Sequence, residues 1–239
     1  NFGTVQFGRN DSIYDDMITD NFDYQDVLAP TGYGDTRERA LQFYSSDVGG
    51  FSVALEAGIN GDQDEATEVD TNAFPPNGSD RDADGNTGDS VSLAGAASYT
   101  VDAVTVTGAI DQRGNDLGGD FGGDNVRYVD SPIYGLVGSI DLNPLAISVG
   151  YQKAEEATAS ETIDTDIFSV DAQYAYNNGK VYGTYQAVDI DNASDGERDE
   201  IVLGVKYGIG QIYGTVEYRA SDRDQDDGDA ASVGVGYSF

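Results

Sequence analysis

The stretch FSVALEAGI, residues 51–59, sorts its side chains by parity. Phe51, Val53, Leu55, Ala57 and Ile59 share one face of an extended chain, while Ser52, Ala54, Glu56 and Gly58 share the other. The same division recurs in LAISVGYQ (145–152), in IVLGVKYGI (201–209) and in IYGTVEYR (212–219). It returns in ASVGVGYSF (231–239), where Val233, Val235, Tyr237 and Phe239 point one way. Across the alternating segments of the chain the second face is small and polar, and it collects Glu56, Asp111, Asp141, Asp171, Lys206, Glu217 and Arg219. A filled core would lose several kcal/mol for each such ion it enclosed. Either the charged face is the wet outside of a soluble sandwich, or it lines water while the oily face meets lipid.

Working outward, period-2 alternation fills the chain and helical periodicity is hard to find. Strands are expected at 3–9, 37–46, 51–59, 90–99, 103–112, 128–141, 145–153, 166–176, 180–189, 200–208, 211–220 and 230–239. Most have the length that a tilted strand needs to cross a bilayer. Their connections alternate. Tight ones, such as DVGG (47–50), TVD (100–102), LNP (142–144), NNG (177–179) and GIG (208–210), carry turn residues. Between them lie long ones at 10–36, 60–89, 113–127, 154–165, 190–199 and 221–229. A sheet with tight turns at one end and excursions at the other has the layout of a transmembrane antiparallel β-barrel. Tyr99, Tyr176, Tyr182, Tyr207 and Tyr213 near the tight turns, and Tyr151, Tyr185 and Tyr218 toward the far ends, suit two membrane–water interfaces. The barrel with a wet lumen is therefore favoured over the sandwich.

Composition narrows the chemistry. The 239 residues include no Cys and no His, which removes disulfide staples, zinc centres and imidazole acid–base catalysis. No apolar run reaches the length of a transmembrane helix or a signal-peptide core, so the sequence reads as a mature chain. Acids outnumber bases 44 to 12, for a net charge of −32. Such a field repels nucleic acid and gathers cations; solubility in a salty habitat, where acidic surfaces are common, is the alternative account of it. An enzyme would have to work with paired carboxylates alone. The many Asp pairs read as solvated loop charge, so none is expected.

Several motifs resemble the general diffusion porins of the Gram-negative outer membrane. They are GTVQFGRNDSIYDD (3–16), YQDVLAPTGYGD (24–35), ALQFYSSDVGGFSVALEAGI (40–59) and a last strand ending in Phe239. The resemblance covers essentially the whole chain, as one barrel domain over 1–239. It implies sixteen strands, so that the twelve visible here match strands five to sixteen and the sequence is N-terminally incomplete. A genuine twelve-stranded barrel is the competing reading. The resemblance also implies a homotrimer in outer-membrane lipid, with Phe239 as a C-terminal signal to the barrel-assembly machinery. Residues 10–36 would be a loop folded into the pore, with acids facing a basic wall.

On that basis the constriction candidates are Asp15, Asp16, Asp20, Asp23 and Asp26, with Arg9 and Arg37 at the loop's feet. Where the family's loop carries a second acid after the tip, Thr31 stands here. By parity Glu38 and Gln42 join the lumen face, with Arg37 and Arg39 on the side of Leu41 and Phe43. An arginine facing lipid at midplane costs roughly 2–4 kcal/mol, so these two belong at a rim or an interface. DRDADGNTGD (80–89) sets Asp80, Asp82 and Asp84 at alternate positions like the start of an EF-hand loop, but Val91 stands where the bidentate Glu belongs. Asp222, Asp224 and Asp226 repeat the spacing. Weak surface calcium binding is thus an expectation for the acidic loops, and no cofactor is required. The expected function is passive, cation-preferring diffusion of small hydrophilic solutes across the outer membrane. A substrate-specific channel is one alternative, supported if Tyr44, Tyr182 and Tyr213 face inward; a secreted acidic calcium- or sugar-binding β-protein is another.

Overall fold

The computed structural model describes residues 2–22, 28, 32–33, 36–60, 90–112, 132–157, 162–191, 196–222 and 229–237, with backbone only at 36–39, 59–60, 90–91, 156–157 and 162–163. Each alternating segment forms one strand. The first four are β1 (Gly3–Asp11), β2 (Thr36–Ser45), β3 (Phe51–Asn60) and β4 (Ser90–Val101). Next come β5 (Val104–Gln112), β6 (Ile133–Asp141), β7 (Leu145–Ala157) and β8 (Thr162–Tyr176). The last four are β9 (Gly179–Ile190), β10 (Glu197–Ile209), β11 (Ile212–Ser221) and β12 (Ala230–Tyr237). One short helix, α1 (Ile13–Met17), and a 3-10 turn (Thr19–Asn21) follow β1. All twelve strands lie in one antiparallel sheet in sequence order. Among the described residues β1 pairs with β2 alone and β12 with β11 alone.

Local chemistry places the tight turns. Asp102 and Asn177 adopt positive φ, as two-residue hairpins require. Gly50 has φ of 89°, and a Cβ there would fall 2.2 Å from the Thr100 carbonyl oxygen. No side-chain-bearing residue fits that position.

The faces separate as the sequence divides them. Leu55, Val149, Leu203 and Val235 are 56%, 43%, 55% and 81% exposed, whereas Glu56, Asp111 and Glu217 are 4%, 0% and 1% exposed. Large apolar side chains cover the outside from Val5 and Phe7 to Tyr237. A water-soluble monomer does not present so continuous an oily surface. Lipid removes the contradiction, because the ladders satisfy the backbone within the sheet and the outward side chains match acyl chains. Toward the long-loop end, Tyr151, Tyr185 and Tyr218 face outward. Their hydroxyls donate to Asp166, to Asp199 at 2.8 Å and to Asp229 at 3.1 Å. Apolar rings below and carboxylates above fit an interfacial girdle.

Several boundaries differ from the sequence reading. The expected long connection at 154–165 is mostly ladder, since β7 and β8 stay paired to Ala157↔Thr162. Lys153 lies 4.0 Å from Asp164 and 3.8 Å from Asp166 across the rungs. The oily face ends there, but a ladder needs only a partner strand, not lipid. For the same reason β10 starts at Glu197, not at 200. β6 starts at Ile133, with 128–131 outside the described residues. Tyr182 and Tyr213, assigned to the turn-side girdle, face inward, each directly paired with a glycine, Gly204 or Gly236.

Leu203→Arg should lower the stability of the protein folded into lipid vesicles by about 2–4 kcal/mol, the cost of a cation on a lipid-facing strand near midplane. Urea titration of folding into vesicles reads it. An unchanged midpoint would show that Leu203 does not meet lipid.

Candidate functional site: the inner-face loop and its seat

The segment after β1 turns back onto the inner face of the sheet. Ser12 caps α1, its Oγ accepting from Asp15 N at 3.1 Å. A residue in the first turn of α1 is held by the wall as well, since Ile13 N donates to Glu56 Oε2 at 3.0 Å. Gln42 Nε2 donates to the same carboxylate oxygen at 2.7 Å and to the Asp11 carbonyl at 2.6 Å. A buried carboxylate that accepts backbone and side-chain N–H is a strong anchor. Glu56 is therefore a fastening for the loop.

Tyr14 within α1 and Ile18 and Phe22 beyond it are fully buried. Spaced four apart, they form one stripe that packs with Tyr33 against Ile133, Val137, Ala154, Ile167 and Val188 of the wall. Two wall glycines make the fit possible. A Cβ at Gly135 would lie 2.7 Å from the Tyr14 hydroxyl, and one at Gly150 would lie 2.4 Å from Phe22 Cζ. The Tyr14 hydroxyl sits 3.1 Å from the Tyr134 carbonyl and 3.2 Å from Gln152 Oε1. Farther along, Leu28 N donates to Glu217 Oε2 at 2.9 Å, while the Tyr182 hydroxyl donates to Glu217 Oε1 at 2.6 Å. The loop thus spans the inner face from β3 to β11.

A charged inner face and an oily outer face, with a loop seated against the inside, are the arrangement of a sheet that divides water from lipid. The Gram-negative porin family profile matches residues 1–239. The chain belongs to the Gram-negative porin family. This porin is 28% identical over 274 aligned residues to a "Monosaccharide porin" of a Halomonas species and to the "Major outer membrane protein" of Halomonas elongata. Each alignment covers 100% of the chain and 69% of the relative. The fold matches OmpT of Vibrio cholerae in its trimer form at 19% identity and TM-score 0.66, over 97% of this chain and 72% of that one. It also matches an anion-selective porin from Comamonas acidovorans at 16% identity and TM-score 0.59, over 99% and 70%. As a member of this family, it is an outer-membrane β-barrel.

The candidate residues of this porin fall into three groups. Arg9 and Asp16 meet around an open pocket of about 510 Å³, lined also by Gln6, Asn10, Asp11 and Gln42. Asp16 is held there by the Tyr44 hydroxyl, which donates to Oδ2 at 2.5 Å. Asp15 belongs to the first turn of α1, and Asp20 is exposed in the 3-10 turn. Glu56, Asp111, Asp171, Glu217 and Gln42 are all buried on the inner side. Lys206 and Arg219 are half-buried on that side. Asp141 is different. It ends β6 in the open, where its Oδ1 accepts from Asn143 N at 3.0 Å and caps the tight turn. Asp23, Asp26, Asp80, Asp82, Asp84 and Phe239 lie outside the described residues, as do the side chains of Arg37 and Glu38. A register shift between Gly8 and Asn10 brings Arg37 opposite Asn10, so counting by twos from Leu41 no longer assigns its face.

Sequence reasoning missed two features. The stripe at 14, 18 and 22 was hidden by the acids around it, although helical spacing behind Ser12 marks it. Arg198 and Glu200 form a buried inner-face ion pair, Nε to Oε1 at 2.8 Å, which follows from starting β10 at Glu197.

Gly150→Leu should drive a side chain into Phe22 and lift the loop from its seat. Limited proteolysis of the detergent-solubilised protein within residues 12–33 should speed up several-fold, with the β-sheet circular dichroism retained. Unchanged cleavage would mean that the seat does not hold the loop.

Proposed function

We propose that this porin is a cation-preferring diffusion channel for small hydrophilic solutes, sugars of monosaccharide size among them, working as a homotrimer. The observation that carries the reading is the pocket that Asp16 of the loop lines together with Arg9 and Asp11 of β1. Opposed charges across a narrow passage set a transverse field that orients polar solutes and slows apolar ones. The excess of acids, 44 against 12 bases, weights that field toward cations. The loop sits on β3 to β11 by Glu56, Glu217 and the apolar stripe, which supports a role as the restriction. The relative described as a monosaccharide porin supports the solute class, and the trimer form of OmpT supports the assembly.

Fold alone does not set selectivity, since one of the structures sharing it is anion-selective. The charges decide it. In planar bilayers under a KCl gradient, the reversal potential should have the sign of cation preference. Asp16→Asn with Asp11→Asn should cut the cation-to-anion permeability ratio by roughly 2-fold to 5-fold, the effect of losing about 1 kcal/mol of attraction at ~4 Å in water. A reversal potential of the opposite sign in the wild-type protein overturns the reading.

A further inference from the structure

A row of small residues on the inner wall makes room for α1. Tyr44 on β2, Ala54 on β3, Ala96 on β4 and Ala109 on β5 are direct cross-strand neighbours. Ile13 of α1 packs on this floor with Ala54, Ala94 and Ala96, and Met17 lies against the same cluster. Tyr44 ends the row and packs against the cluster as well. Its ring is fixed by apolar contact, and its hydroxyl reaches α1.

That hydroxyl donates to Asp16 Oδ2 at 2.5 Å, the length of a charge-assisted bond. The bond matters because of where Asp16 stands. It is exposed, it lies one residue before the end of a five-residue helix, and it lines the pocket with Arg9 and Asp11 of β1. An exposed carboxylate on so short a helix has several rotamers open to it, and a guanidinium in the same pocket attracts it. Arg9 carries donors for more than one acceptor, whatever else it binds. Were the carboxylate to close on the guanidinium, the two charges would cancel instead of opposing each other across the passage. Glu217 shows the same chemistry with the parts exchanged. There Tyr182 donates at 2.6 Å to an acid of the wall, and that acid holds the loop at Leu28. Tyr44 belongs to the wall, and the acid it holds belongs to the loop.

We propose that Tyr44 is a positioning residue for charge selection: its hydroxyl fastens Asp16 to β2 and keeps the loop's acid and Arg9 apart as opposed charges. The role rests on the pore reading and deepens it by naming the group that holds the charge pair open. Tyr44 acts through Asp16 and has no need to touch the permeating ion.

Tyr44→Phe keeps the ring on its alanine floor and removes only the donor. In planar bilayers under a KCl gradient, Y44F should lower the cation-to-anion permeability ratio by about 1.5-fold to 2-fold, a fraction of the effect of removing the charge itself. Two double-mutant cycles then separate positioning from packing. Adding Y44F to D16N should change nothing, because no carboxylate is left to hold. Adding it to R9Q should change nothing either, because no guanidinium is left to close on. Limited proteolysis within residues 12–33 should run at the wild-type rate in Y44F, since the apolar contacts stay. A ratio unchanged in Y44F overturns the positioning role, and so does a drop that persists in the D16N or the R9Q background. A drop accompanied by faster proteolysis overturns it as well, because the loop has then moved as a whole. Absence of conductance steps in the wild-type protein overturns the pore reading instead, and wild-type anion preference overturns the cation reading.

Discussion

In a hydrocarbon medium no peptide group can turn to water, so every N–H and C=O must find its partner within the sheet. Each of the eleven strand pairings, from β1–β2 to β11–β12, answers that requirement. From it the rest follows. A continuous ladder fixes period 2, period 2 sorts side chains into two faces, and the medium on each side decides which residues each face tolerates. Leu203 outside and Glu217 inside are consequences of one constraint, applied to neighbouring strands.

Once the wall exists, the loop after β1 has little freedom. Its polar ends are tied to buried carboxylates, Glu56 near the start and Glu217 at Leu28, and its apolar stripe is tied to Ile133, Val137, Ile167 and Val188. Those inward apolar residues run against the polar habit of the inner face, and they have a physical reason for doing so: they exclude water from beneath Tyr14, Ile18 and Phe22. Charged anchors set where the loop attaches, and the apolar seat sets how firmly. Asp16 of α1 lines the pocket with Arg9 and Asp11 of β1.

The strands were legible because a lipid-facing sheet writes its alternation without interruption, and FSVALEAGI alone shows the inside-out division. The strand ends were less so. Alternation of oily residues stops at the membrane surface, whereas the β7–β8 ladder continues through Lys153, Asp164 and Asp166 on polar contacts. Within the site, Glu56 and Glu217 could be placed on the inner face by parity, but their attachment to Ile13 and Leu28 could not, since those contacts span 43 and 189 residues. Tyr182 and Tyr213 show the limit of reading by residue type. Both lie near strand ends, as interfacial tyrosines do, yet their parity and their glycine partners turn them inward.

The glycines under the loop bear on how such a bore could change over evolutionary time. At Gly135 and Gly150 the plug rests on bare main chain, which has no rotamers to fluctuate. In the channel proposed above, a calibre set there would be stiff, while Glu56 and Glu217 fix where the loop attaches. Its charge preference would then drift by single exchanges at the exposed Asp16 and Asp20 while the apolar seat stays unchanged. Size exclusion and charge preference would thereby be separable traits of the proposed channel, carried by different parts of the same short segment.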